Sequence, residues 1–365
     1  MALDKEAQID HMKGKPKQAS KTQAANRSVF SAIIFPIFRN FTELFAFINL
    51  GLLMETLQIL FGMSPKFQPE KDIPNLAGKV ILVTGGNTGL GKETILQLAK
   101  HDPANIFLAA RTQSKAEAAI ADIQEQVPSA KITYLPLDLA SFPSISQAAQ
   151  TFQTQSDRLD ILIHNAGIMA VPYALTPQNH EIQFGTNHLG HFLLTRLLLP
   201  TLLATSPTPR VIAVSSIAHG LAPPPGIIYS AEQLESYGAW RRYGQSKLAN
   251  ILFARELARR YPEQLTAAAV HPGIIETELY ASQKTTNVVV RQIVKVLGKT
   301  PVFLTKEDGA LNQLWAATME GVKSGAYYIP VARENGGIYW HARKDGLARE
   351  LWEWSEAEVR RFGFE

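Results

Sequence analysis

The chain contains no cysteine. Disulfides and cysteine-bound zinc are excluded, and with no clear secretory signal the composition points to a reducing, intracellular compartment. Charge is also scarce. Charged residues make up 19% of 365 and the formal net charge is +4, with no arginine-rich run and no zinc-finger spacing, so nothing marks a nucleic-acid partner. No uninterrupted apolar run reaches the roughly 20 residues that a bilayer-spanning helix requires. Residues 29–63, VFSAIIFPIFRNFTELFAFINLGLLMETLQILFGM, come nearest, but Arg39, Glu43 and Glu55 interrupt them and Pro36 breaks a helix at the front. This segment reads as a helix that lies in a membrane interface or packs on its own domain. Repeats at solenoid periods are missing too.

What is present is mostly apolar, at 46%, as a globular protein requires. Residues 1–28 are polar and rich in Lys, Gln and Ala, and read as a mobile tail. Residues 29–69 form the apolar extension and a linker with three prolines in SPKFQPEKDIP. From about residue 70 to 365 short aliphatic runs alternate with helical patterns. KVILVTG (79–85), NIFLAAR (105–111), KITYLPLDL (131–139), LDILIHNAG (159–167), RVIAVSS (210–216), TAAAVHPG (266–273) and GAYYIP (325–330) are the expected strands. This alternation predicts one α/β domain, a doubly wound parallel sheet of Rossmann type with helices on both faces.

TGGNTGLG (84–91) falls where the first strand turns into the first helix. Glycines there permit a tight turn, let backbone amides approach a pyrophosphate and place it at a helix N-terminus. The second strand ends in AAR, with no acid for a ribose 2′-hydroxyl; Arg111, helped by Lys115, suits a 2′-phosphate instead, which favours NADP over NAD. Further on, YGQSK puts Tyr243 four residues ahead of Lys247, on one helical face. A free phenol has a pKa near 10, and a neighbouring ammonium is expected to lower it and equip Tyr243 for proton transfer.

The glycine turn, HNAG, the serine pair after the fifth strand and YxxxK occur in this order, each on the expected element. In this the chain resembles the short-chain dehydrogenase/reductase superfamily over about residues 70–335. The resemblance implies Tyr243 as acid/base, Lys247 as its activator, Ser216 as the substrate-oxygen anchor, with Ser215 the alternative if the register is off by one, and Asn187 of FGTNHLGHF as support of a proton relay. For the cofactor it implies Gly85, Asn87, Gly89, Leu90 and Gly91 in the turn, Arg111 after the second strand, and Asp138 and Leu139 near adenine. It further implies Asn165, Ala166 and Gly167 near the nicotinamide ribose, with His164 where asparagine is also common, and Pro272, Gly273, Ile275 and Thr277 around the nicotinamide, besides Tyr243 and Lys247 themselves.

No metal is expected: His188, His191 and His219 lack a partnering carboxylate cluster and read as helix-packing or surface residues. The 26 residues between Ser216 and Tyr243, with SSIAH and SKLANILFARELA, resemble the retinol-dehydrogenase-like branch, which implies a lipophilic small-molecule substrate. A substrate lid is expected at 279–303. Acids are missing from Leu279 to Thr305, while Lys284, Arg291, Lys295 and Lys299 alternate with apolar residues. A basic amphipathic helix of this kind suits an anionic membrane surface, so peripheral membrane contact through 29–63 and 284–299 is expected, or else a cytoplasmic protein whose lid covers only the substrate. The resemblance also implies a homodimer paired through two long helices. Rival readings keep the machinery for C=C reduction or a polyketide-like specialised metabolite, or make the chain a non-catalytic NADP-binding scaffold.

Overall fold

In the computed structural model, residues 67–206, 208–273, 275, 304–334 and 339–364 are described. The tail, the apolar extension, Thr277 and the lid segment lie outside them. Phe67 and Ile73 are buried in the core on either side of a short helix, α1 (Pro69–Asp72), so the domain already includes residues ahead of position 70.

Apart from the edge strand within KITYLPLDL, which is only half-buried, each aliphatic run becomes a strand whose residues are buried on both faces of a sheet. In chain order the elements are β1 (Val80–Thr84), α2 (Gly89–Ala99), β2 (Asn105–Ala110), α3 (Gln113–Gln126), β3 (Ile132–Pro136), α4 (Phe142–Gln155) and β4 (Ile161–His164). There follow α5 (Ile182–Phe184), continued as a π-helical turn over Gly185–Leu189, then α6 (Gly190–Ala204), β5 (Arg210–Val214), α7 (Ala231–Glu235), α8 (Ala239–Arg260) and β6 (Thr266–Val270). The last are α9 (Lys306–Thr318), β7 (Tyr327–Ile329), β8 (Arg333–Glu334) and α10 (Asp345–Arg361).

The strands lie in the order β3-β2-β1-β4-β5-β6-β7-β8. All pairs are parallel except β7 with β8, a short antiparallel edge that the alternation did not predict. Alternate residues of one strand face opposite layers. Leu82, Phe107 and Leu162 pack with Phe152, Leu194 and Leu252 on one side, while Ile81, Ile106 and Ile163 pack with Ile95, Ile123 and Leu314 on the other. Chain order reverses between β1 and β4, and a crevice opens there at the carboxyl ends of the strands, where doubly wound sheets take their ligands.

Helix α10 was not anticipated. Its Trp352 ring lies 5.0 Å from Phe192 of α6 and 5.9 Å from Phe253 of α8, with the Arg260 guanidinium 4.9 Å above it. Arg196 pairs with Glu356 at 3.4 Å. The apolar face shared by the two long helices is thus covered, along Phe192 and Phe253, by the chain's own C-terminal segment.

Candidate functional site

The glycine turn leaves β1 at Gly85, whose φ is +68°, and enters α2 at Gly89, whose φ is +53°. Both lie in the left-handed region that glycine alone enters freely. Gly91 is required for a different reason: a Cβ there would collide with the Gly85 carbonyl oxygen and lie 2.5 Å from Asn165 Nδ2. Asn165 in turn donates to the Thr84 carbonyl at 2.9 Å, which ties the HNAG loop to the turn. Asn87, Gly89 and Leu90 line the crevice with Arg111 just past β2, Lys115 in the first turn of α3, and Asp138 and Leu139 just past β3. Thr88 and Thr112 line it as well, and the sequence reading missed both; each adjoins a residue that it named.

The same crevice continues over Ala166 and Gly167 to Ser216, Tyr243 and Lys247, with Pro272, Gly273 and Ile275 on its far wall. Gly91 and Asn187 are not among the residues that line it. Thr277 is outside the described residues.

At the reacting end, Ser216 is the side chain that favours ionisation of the Tyr243 phenol, as a hydrogen-bonding neighbour would. Ser216 Oγ also accepts from Ala218 N at 3.1 Å. Ser215 instead donates to the Lys247 carbonyl at 2.7 Å, so it fastens the helix and Ser216 is the serine next to the phenol. Lys247 Nζ stands 5.7 Å from the Tyr243 ring centroid and donates to the Val214 carbonyl at 2.9 Å. The lysine does not lower the phenol in this arrangement, as the spacing had suggested. Burial pushes Tyr243 up to about 12, with only the influence of Ser216 opposing it, and burial brings Lys247 down to about 8. Desolvation outweighs charge proximity when neither ionised form meets solvent. The phenol is therefore a protonated donor at neutral pH.

Asn187 sits in the π-helical turn. Its Oδ1 accepts from Ile168 N at 2.8 Å, and its Nδ2 donates to the Ile168 carbonyl and to Ser246 Oγ, each at 2.9 Å. It joins the loop after β4 to the helix that carries Tyr243 and Lys247. A Cβ on Gly167 would lie 3.2 Å from Asn187 Oδ1 and 3.4 Å from Lys247 Nζ, so glycine keeps that junction open.

Of the two histidine readings, packing is correct. His188, His191 and His219 are buried, and burial lowers them to about 3, 4 and 4. His191 Nδ1 donates to the Asn187 carbonyl at 2.9 Å, which leaves Nε2 to accept from the Thr84 hydroxyl at 2.9 Å. Its ring stacks on His164, centroids 4.5 Å apart. Among the described residues no group of three or more His, Cys, Asp or Glu could hold a metal, and no helix is long and apolar enough to cross a membrane.

A buried ion pair at Arg242, the residue before Tyr243, was not read from the sequence. Arg242 donates from Nε to Glu181 at 3.1 Å and from Nη2 to the Val171 carbonyl at 3.1 Å, while Glu181 Oε2 caps α5 by accepting from Gln183 and Phe184 N. Arg242 and Glu181 lie 61 positions apart, and no local pattern announces the pairing. Thr186 was missed too. It lines the crevice next to Asn187, and its Oγ1 is buried without a hydrogen-bond partner.

Strand order, switch point and a crevice running from a glycine turn to a buried phenol define a doubly wound dinucleotide-binding protein. The family model for short chain dehydrogenases matches residues 79–232. The short-chain dehydrogenase/reductase drtF of Aspergillus calidoustus is 38% identical over 79% of this chain and 96% of its own length. Human retinol dehydrogenase 12 is 35% identical over 84% of this chain and 96% of its own. Among solved structures, an uncharacterized protein from Mycobacterium paratuberculosis superposes with a TM-score of 0.61 at 34% identity, covering 80% of this chain and 97% of that one. A Shigella flexneri short chain dehydrogenase complexed with NADP shares the fold, with a TM-score of 0.55 at 24% identity over 70% of this chain and 98% of its own. The chain belongs to the short-chain dehydrogenase/reductase family and is an oxidoreductase of its retinol-dehydrogenase-like branch.

Proposed function

We propose that the protein is an NADP-dependent oxidoreductase that interconverts a carbonyl and an alcohol on a lipophilic small molecule, with Tyr243 as the acid/base. The observation that carries the reading is the Tyr243 phenol, one turn from Lys247 and lining, with Ser216, the crevice that begins at the glycine turn. The crevice fits a dinucleotide. Its turn leaves no room for a Cβ at Gly85 and Gly91, and Arg111 and Lys115, with no acid at the end of β2, suit a 2′-phosphate. Thr277 and Ile275 complete the nicotinamide site in this reading.

A bound nicotinamide supplies or takes the hydride. Ser216 Oγ holds the substrate oxygen beside the phenol, and Tyr243, protonated at neutral pH, hands its proton to that oxygen as the carbonyl is reduced. Lys247, which lines the same crevice, is placed to hold the cofactor's ribose, and Asn187 keeps the loop after β4 in register with α8. The relationship to retinol dehydrogenase 12 favours an apolar substrate. The basic segment 284–299 and residues 29–63 would then face the membrane from which such a substrate comes.

The test is NADPH oxidation against a panel of apolar aldehydes and ketones, with NADH alongside. Turnover with NADPH that Tyr243→Phe abolishes, with NADPH binding retained, is the expected result. Absence of turnover across the panel, together with unchanged NADPH binding in Tyr243→Phe, would leave the scaffold reading in its place.

A further inference from the structure

Helix α9 carries Gly309, Asn312 and Gln313 at the i, i+3, i+4 spacing that puts three residues on one face. Each is buried or packed against a different wall of the crevice. A Cβ on Gly309 would overlap Ile275 Cδ1 and lie 2.8 Å from Leu90 Cδ2, so the helix backbone itself presses on two crevice-lining side chains. Asn312 Nδ2 donates to the His271 carbonyl at 2.7 Å and the Tyr328 carbonyl at 3.1 Å, and its Oδ1 accepts from Ala332 N at 3.1 Å. This bonding fixes the end of β6, one residue before Pro272.

Gln313 is fully buried. Its Nε2 donates to Thr94 Oγ1, whose hydroxyl donates to the Leu90 carbonyl at 2.7 Å. Nε2 also donates to Asn165 Oδ1 at 3.4 Å, and Asn165 Nδ2 donates to the Thr84 carbonyl. One amide nitrogen thus ends two relays that reach the glycine turn, at Leu90 and at Thr84. The Gln313 amide oxygen finds no donor. A buried amide whose oxygen goes unpaired carries a cost, and it is retained here for its N–H groups.

We propose that Gln313 is a positioning residue for the cofactor, holding the glycine turn and the Asn165 loop in the geometry that binds the dinucleotide pyrophosphate and ribose, with Gly309 and Asn312 aligning the opposite wall. It does not line the crevice and acts through Thr94 and Asn165. The proposal rests on the NADP reading above.

The experiment measures NADPH dissociation constants by fluorescence, and KM and kcat, for Gln313→Met and Gln313→Glu. Methionine keeps the volume and loses both donors; about five- to tenfold weaker NADPH binding is expected, with kcat at saturating NADPH within about twofold of the parent. Glutamate keeps the shape but sets a carboxylate against two acceptors, Asn165 Oδ1 and a Thr94 hydroxyl already donating to Leu90. It is expected to bind NADPH more weakly than the methionine variant. Packing alone predicts the reverse order, since glutamate is the closer mimic, and that order would overturn the proposal, as would unchanged binding in both. Thr94→Val cuts the first relay at its other partner and is expected to weaken NADPH binding about threefold. It carries the test if the Gln313 variants do not fold, and parental affinity in it then overturns the proposal. A parent chain that binds neither NADPH nor NADH removes the cofactor reading and this proposal together; a parent that binds, with variants that bind equally, removes the proposal alone.

Discussion

The two halves of the crevice, on either side of the switch between β1 and β4, are built in different ways. The β1–β3 half consists of backbone and short-range motifs: glycines at positive φ, a helix N-terminus, and Arg111 exposed past a strand end. The β4–β6 half consists of buried polar side chains held by bonds across long sequence distances, such as Asn187 to Ser246 and Arg242 to Glu181. Backbone recognition puts its demands on conformation at the glycine turn more than on side-chain chemistry. Proton transfer fixes the donors and acceptors on the reacting half, and their burial must be compensated by partners.

The sharpest way to separate the halves is Tyr243→Phe. It removes one hydroxyl from the reacting half, and turnover is expected to fall by about 10²–10⁴-fold while the NADPH dissociation constant stays within about threefold. Steady-state kinetics and a fluorescence titration check the two numbers; comparable losses in both would mean that the halves are not separable.

Arg242→Leu addresses the buried network. It leaves Glu181 in the core without its guanidinium, and burial already pushes that carboxyl up against the Phe184 N–H and Arg242 itself. Losing one partner of a buried pair costs about 3–5 kcal/mol, and urea unfolding should show it. A loss under about 1 kcal/mol would mean that Glu181 is satisfied as a protonated carboxyl by its two backbone donors, and that the reacting half does not depend on the pair.

The same division explains what could be read from the sequence. AAR, LPLDLA, HNAG and YGQSK are local, and each fell where its strand or helix put it. Gln313, Asn312 and the Glu181–Arg242 pair make bonds that reach 219, 41 and 61 positions along the chain, and a glutamine or asparagine in a helix carries no mark of that. Helix α10 did carry a signal, since Leu351, Trp352, Ser355 and Val359 recur on one face, but its destination across α6 and α8 depends on tertiary packing. The phenol was misjudged for a physical reason: spacing shows that a cation is near, and says nothing about how completely both groups are desolvated.

On the binding half, Arg111→Ala is expected to weaken NADPH binding by about 10- to 100-fold and leave NADH nearly unchanged, the range expected of a lost charge-assisted contact to phosphate. Stability should not move, because the side chain is exposed. Parallel losses for both cofactors would assign Arg111 to the fold and not to the 2′-phosphate.

The comparison is most exposed at Lys247, where function and stability should oppose each other. Burial lowers this lysine from 10.5 to about 8, so the folded state holds its proton less tightly than the unfolded chain. Between about pH 8 and 10.5 the unfolded chain binds more protons, and the lysine's contribution to folding rises with pH through that window. At pH 7 both states are protonated and the full penalty of the buried ammonium applies. Lys247→Met removes it without orphaning an acceptor, because Asn250 Nδ2 also donates to the Val214 carbonyl at 3.1 Å. The variant should lose turnover yet unfold at higher urea, by on the order of 1–3 kcal/mol at pH 7, an advantage that shrinks above pH 8. A destabilised variant would show that the Val214 bond outweighs desolvation, and that the reacting half is held together by its charge.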